Sequence, residues 1–93
     1  MKITGANGYR PTKEQIELVE QKFEQLKALL KEPVGFWAKI GKEDFFFNLK
    51  TGIIKFKVYE EGKNIEQNIN NAFSSLENYL KSRWNKIKDE EKE

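Results

Sequence analysis

Any chemistry on this chain must be built from carboxylates, lysines and aromatic rings, because its 93 residues include neither His nor Cys. Without His the commonest general base and metal ligand is missing, and without Cys there is no thiolate metal site and no disulfide framework. The remaining catalytic candidates are two adjacent carboxylate pairs, Glu43-Asp44 and Glu60-Glu61. Both fall at the ends of expected strands, where successive side chains point to opposite faces, so neither pair can share a site and both read as solvated turn residues. Gly5-Ala6-Asn7-Gly8 lacks the spacing and the Lys-Ser/Thr ending of a phosphate loop. The expectation is a protein without enzymatic activity, holding no metal and no cofactor and turning over no small-molecule substrate.

Lysines interleaved with rings carry the stronger signal. Lys39, Lys50, Lys55 and Lys57 alternate in sequence with Trp37, Phe46 and Tyr59 in segments of strand character. Lysines can meet phosphates and flat rings can meet bases or riboses, which points to nucleic acid. An ordinary solvated sheet face, its lysines deterring edge-to-edge aggregation, explains the same residues, and the two readings stay open at this point. A second group, Lys81, Arg83, Lys86 and Lys88, lies near the end of an expected helix, where the macrodipole also favours cations. Trp84, among them, continues an apolar stripe and reads as core. On the same helix Asn68, Asn70, Asn71, Ser74, Ser75 and Asn78 form a neutral side that is expected to be exposed and is a poor helix-forming choice.

The overall charge of +2 is unevenly spread. Residues 33–59 carry five Lys against Glu43 and Asp44, a net of +3, while residues 60–93 carry six basic against eight acidic groups, a net of −2. Such asymmetry bears on partners rather than on fold.

Periodicity supplies the elements that must position these groups. Lys2-Ile3-Thr4 is a short strand candidate. Thr12 caps a helix, with Gln15 completing a capping box, and Ile16, Val19, Phe23, Leu26 and Leu30 form its apolar stripe before Pro33 stops it near Lys31. Strands are expected over 34–40, 45–50 and 53–59, separated by turns at 41–44 and at Thr51-Gly52. The period of two puts Phe36, Ala38, Ile40, Phe45, Phe47, Leu49, Ile54, Phe56 and Val58 on a core face. Trp37, Lys39, Phe46, Asn48, Lys50, Ile53, Lys55, Lys57 and Tyr59 then share the other face. Asn64 caps a last helix whose stripe is Ile65, Ile69, Ala72, Phe73, Leu76, Leu80, Trp84 and Ile87. The order β-α-β-β-β-α implies an α+β fold, a four-stranded sheet with two helices packed on one face. A right-handed crossover through the first helix would give the N-terminal strand its neighbour.

Residues 1–88 read as one domain and 89–93 as an acidic tail that frays, since acid is unfavourable at a helix C-terminus. Hydrophobic residues make up 38% and no run approaches the length of a membrane span, nor does an apolar segment follow Met1 as in a secretory leader. A cytoplasmic protein without a membrane partner is expected. No repeat or heptad seam appears.

Both ends of the chain resemble the ribosome hibernation-promoting factor family in its short form. The likeness rests on Ile3-Thr4-Gly5-Ala6-Asn7, on Thr12, and on Val19-Glu20-Gln21-Lys22-Phe23-Glu24-Gln25-Leu26 at one end. At the other it rests on 52–58, Glu61-Gly62, Asn64 to Asn70, and 76–88. The resemblance implies the β-α-β-β-β-α fold and binding to the small ribosomal subunit through ribosomal RNA, in the channel of messenger and transfer RNA, which silences translation in resting cells. Basic positions matching the family pattern are Lys22, Lys81, Arg83, Lys86 and Lys88; Lys39, Lys55 and Lys57 would complement them from the sheet. Ser75, Asn78, Ser82 and Trp84 stand where the family usually carries basic residues. That depletion, with the amide-rich helix side, suits a competing reading: a protein-interaction or inhibitor module on the same fold that has lost RNA binding. A third reading, general duplex-RNA binding, shares the helix-and-sheet layout.

Overall fold

A computed structural model describes the backbone of residues 2–30 and 33–91 and the side chains of residues 2–30 and 33–82. The elements follow the expected order: β1 (Lys2–Gly5), α1 (Lys13–Leu30), β2 (Gly35–Ile40), β3 (Asp44–Lys50), β4 (Lys55–Glu61) and α2 (Ile65–Glu91). The strands lie side by side in sequence order. β1 runs parallel to β2 and is joined to it through α1, while β2, β3 and β4 form an antiparallel meander.

Local chemistry sets the element boundaries. At the start of α1 the Gln15 amide N–H donates to Thr12 Oγ1 at 3.2 Å and the Thr12 N–H donates to Gln15 Oε1 at 3.0 Å, the reciprocal pair of a capping box. Asn64 Oδ1 likewise accepts from the Gln67 N–H at 3.1 Å to open α2. Residues 6–9 form a tight turn closed by Tyr9 N–H to Ala6 carbonyl at 3.0 Å, with positive φ at both Asn7 (52°) and Gly8 (81°). Asn and Gly tolerate that conformation best. The end of α1 expected near Lys31 falls beside residues 31 and 32, which lie outside the described residues.

The last strand begins two residues later than its sequence pattern suggests. In place of a two-residue turn at Thr51-Gly52, residues 51–54 make a loop. Thr51 N–H donates to the Ile54 carbonyl at 2.8 Å, and Thr51 Oγ1 accepts from the N–H groups of Ile53 (3.2 Å) and Ile54 (2.9 Å). The hydroxyl competes with the ladder for those amides, so Ile53 and Ile54 are withdrawn from β4. The assignment of faces survives, with Ile54 buried and Ile53 67% exposed.

One core lies between the sheet and the helices. Phe36, Ala38 and Ile40 of β2 and Phe45, Phe47 and Leu49 of β3 are buried in strict alternation with more exposed neighbours. Phe36 stacks against Phe23 of α1 at 4.6 Å between ring centroids and against Phe73 of α2 at 6.1 Å, which places both helices on the same sheet face. Phe47 is the hub, with the rings of Phe36, Phe73 and Phe56 at 5.3, 4.9 and 6.0 Å. Burying such a ring contributes roughly 2 to 3 kcal/mol. Phe56 and Val58 are only half-buried because β4 is an edge strand; the Tyr79 ring, 5.2 Å from Phe56, helps to cover it.

One helix residue reverses its expected role. Asn68, grouped by sequence with the exposed neutral side of α2, is only 4% exposed. Its Nδ2 donates to the Gly62 carbonyl at 2.9 Å, tying the first turns of α2 to the end of β4. A Cβ at position 62 would come within 2.8 Å of Asn68 Oδ1, so the glycine makes room for the amide. The remaining amides and hydroxyls, Asn70, Asn71, Ser74, Ser75 and Asn78, are exposed as expected. The side chains of Trp84, Ile87 and the acidic segment 89–93, and the backbone of residues 92 and 93, lie outside the described residues, while the backbone of 89–91 continues α2.

Candidate nucleic-acid interface

Among the described residues nothing covers the sheet face opposite the helices, and strand register fixes what stands on it. Trp37 pairs with Asn48, which pairs with Lys57; Lys39 pairs with Phe46, which pairs with Tyr59; Lys50 pairs with Lys55. Parallel pairing adds Lys2 beside Trp37 and Thr4 beside Lys39. Five exposed lysines, Lys2, Lys39, Lys50, Lys55 and Lys57, thus share one surface. Lys2 escaped the sequence reading because its face depends on the crossover register, which no local pattern encodes. Among the described residues none of the five meets a carboxylate; the salt bridge seen there joins Lys13 to Glu17 at 4.0 Å on α1. Lys50 faces Lys55 directly across the ladder, an arrangement of like charges that is unfavourable unless an anion lies between them.

Three rings run diagonally through the lysines. Trp37 is 37% exposed and packs on Phe46 with centroids 5.1 Å apart, and the Lys39 ammonium sits 5.8 Å from the Trp37 ring centroid. Tyr59, 52% exposed, stands directly across from Phe46. Its single hydroxyl proton is shared between Glu61 Oε1 at 2.8 Å and Asp44 Oδ2 at 3.1 Å. The bond to Glu61, then partial desolvation and the bond to Asp44, push the phenol well above its ordinary value and keep it a neutral donor.

Asp44 and Glu61 are directly opposed in register. The sequence separates the adjacent members of each carboxylate pair but does not show that one member of each, Asp44 and Glu61, meets the other across the strands. The signal was available once β3 and β4 were aligned. The two carboxylates border an open hollow of about 650 Å³ that also reaches Asn7, Tyr9, Lys42 and Lys63. Tyr59 occupies both carboxylates, and no group of three or more potential metal ligands is assembled among the described residues. Chemically, this is an acidic border to a basic face.

The helix-borne candidates with described side chains, Lys22 and Lys81, occupy a different surface. Lys22 is half-buried in a narrow groove between α1 and α2, beside Gln25, Phe73 and Glu77. Lys81 is exposed on α2. Arg83, Lys86 and Lys88 lie on helical backbone, with side chains outside the described residues. Lys39, Lys55 and Lys57 are therefore brought together, whereas Lys22 and Lys81 belong to the helix layer on the far side of the sheet. Among the described residues no helix is long and apolar enough to cross a membrane.

No known protein-family model matches the chain, and no curated protein matches it in sequence. Solved structures do match in shape. The N-terminal domain of Protein Y from Thermus thermophilus superposes with a TM-score of 0.75 at 20% identity, covering 87% of this chain and 93% of that one. A ribosomal subunit interface protein from Coxiella burnetii gives a TM-score of 0.68 at 19% identity, covering 89% and 97%. At that identity the likeness establishes the β-α-β-β-β-α fold.

Proposed function

We propose that this chain is a non-enzymatic, cytoplasmic ribosome-binding factor that occupies the small subunit through ribosomal RNA and silences translation by steric exclusion. The observation that carries the reading is the clustering of five lysines, without carboxylate partners among the described residues, on the open face of a fold shared with a ribosomal subunit interface protein. Lys39, Lys55 and Lys57 supply phosphate contacts from the sheet, and Lys22, Lys81, Arg83, Lys86 and Lys88 supply them from the helix layer. The short-form hibernation-factor resemblance of both chain ends supports the same partner. No covalent step is required; occupancy of the messenger and transfer RNA channel suffices.

The competing reading, a protein-interaction module, draws on the exposed amides of α2 and on Trp37 and Ile53. It calls for scattered lysines and an exposed apolar patch at Trp37, Phe46 and Ile53, whereas here Phe46 is half-buried and the lysines surround the rings. Sedimentation with purified ribosomes decides between them. The protein pellets with ribosomes at low salt and is released at high salt, because each neutralised phosphate returns counterions to solution. Absence from the low-salt pellet contradicts the proposal.

A further inference from the structure

The form of RNA that suits the uncovered face can be argued from its rings, which deepens the ribosomal-RNA reading of the same lysines and rests on it. We propose that the open face is a stacking platform for single-stranded RNA: bases lie over Trp37, Phe46 and Tyr59, and phosphates are held by Lys39, Lys50, Lys55 and Lys57. Strand spacing and pleat repeat put Trp37 and Tyr59 roughly 12 Å apart along the ring diagonal, the span of about three unpaired nucleotides.

Trp37 and Tyr59 are exposed for this use, with the half-buried Phe46 between them. Phe46 props Trp37 from the side, leaving the indole 37% exposed. Tyr59 is held by its hydroxyl on two carboxylates, so its ring is oriented before any ligand arrives. The lysines flank the diagonal on both sides, and a phosphate between Lys50 and Lys55 relieves their direct opposition. Asp44 and Glu61 repel phosphate at the far end, so the bound strand ends at the Tyr59 row. A duplex keeps its base faces stacked within itself and would leave the three rings unused. An acidic peptide without aromatic residues would satisfy the lysines and leave the rings unused.

The test titrates the full chain with a uridine RNA of about eight nucleotides, a duplex of equal length and polyglutamate, reading tryptophan quenching and anisotropy. The single strand binds and quenches Trp37. Trp37→Ala weakens it about tenfold, while Trp37→Phe keeps most of the affinity and loses the quenching. Removing two charges by Lys55→Gln with Lys57→Gln flattens the log–log salt dependence by about 1.4, at about 0.7 per phosphate. Trp37 lies outside the core, and circular dichroism of each variant verifies folding. The platform is overturned if the duplex or polyglutamate binds as well as the single strand, or if Trp37→Ala has no effect. Lost oligonucleotide binding with ribosome pelleting retained overturns the platform alone; the converse overturns the ribosome reading alone.

Discussion

Tyr59 and Asn68 show how much a single polar atom decides in this molecule. The Tyr59 hydroxyl holds Asp44 and Glu61, which would otherwise face each other without a donor between them. Because the folded state raises the phenol above its ordinary value near 10, folding favours the protonated form. The stabilisation is therefore complete below the unfolded value and is lost as pH rises through the raised folded value. The stability difference between wild type and Tyr59→Phe should stay constant from neutral pH to about 10 and shrink above it, measured by thermal unfolding across pH. A difference that shrinks below that point contradicts the assigned bonds. Asn68 matters for a different reason: its amide is buried and donates to a carbonyl. Asn68→Ala should cost about 1 to 3 kcal/mol in urea unfolding, and Asn68→Asp more, because a buried carboxylate cannot donate to Gly62. An unchanged midpoint in both variants would remove Asn68 from the account of how α2 is anchored.

At the scale of elements, period and capping residues were legible and hydroxyl competition was not. Thr12 and Gln15 announced the start of α1, and alternation in β2 and β3 assigned every core position on those strands. The sequence pattern places the start of β4 two residues early because Ile53 to Tyr59 is a good strand pattern throughout, and only the three-dimensional loop shows Thr51 Oγ1 taking the first two amides. Asn68 eludes the pattern for a related reason: helical period identifies a stripe, but not which polar residue at its margin finds a buried partner. Thr51→Val keeps the shape and removes the acceptor. It should destabilise the protein by about 1 to 2 kcal/mol in urea unfolding while Thr51→Ser stays close to wild type. Equal stability of Val and Thr at this position would show that the loop does not depend on the hydroxyl.

For the molecule as a whole, the sequence carried the layer arrangement and most of the basic face. Lys39, Lys50, Lys55 and Lys57 could be placed together by alternation alone, whereas Lys2 and the Asp44–Glu61 border needed strand register. The same arrangement divides the candidate contacts. The sheet lysines and the helix residues Lys22 and Lys81 lie on opposite sides of the sheet, so a partner that uses both must enclose the domain, as the walls of an RNA channel can and a flat duplex cannot. The most direct test sediments the protein with separated small and large ribosomal subunits, comparing wild type with a Lys39→Gln, Lys55→Gln, Lys57→Gln variant. The account predicts that wild type pellets with the small subunit at low salt and is released by high salt, and that the variant is released at distinctly lower salt. Wild type absent from the small-subunit pellet at low salt, or a variant with unchanged salt sensitivity, would contradict it.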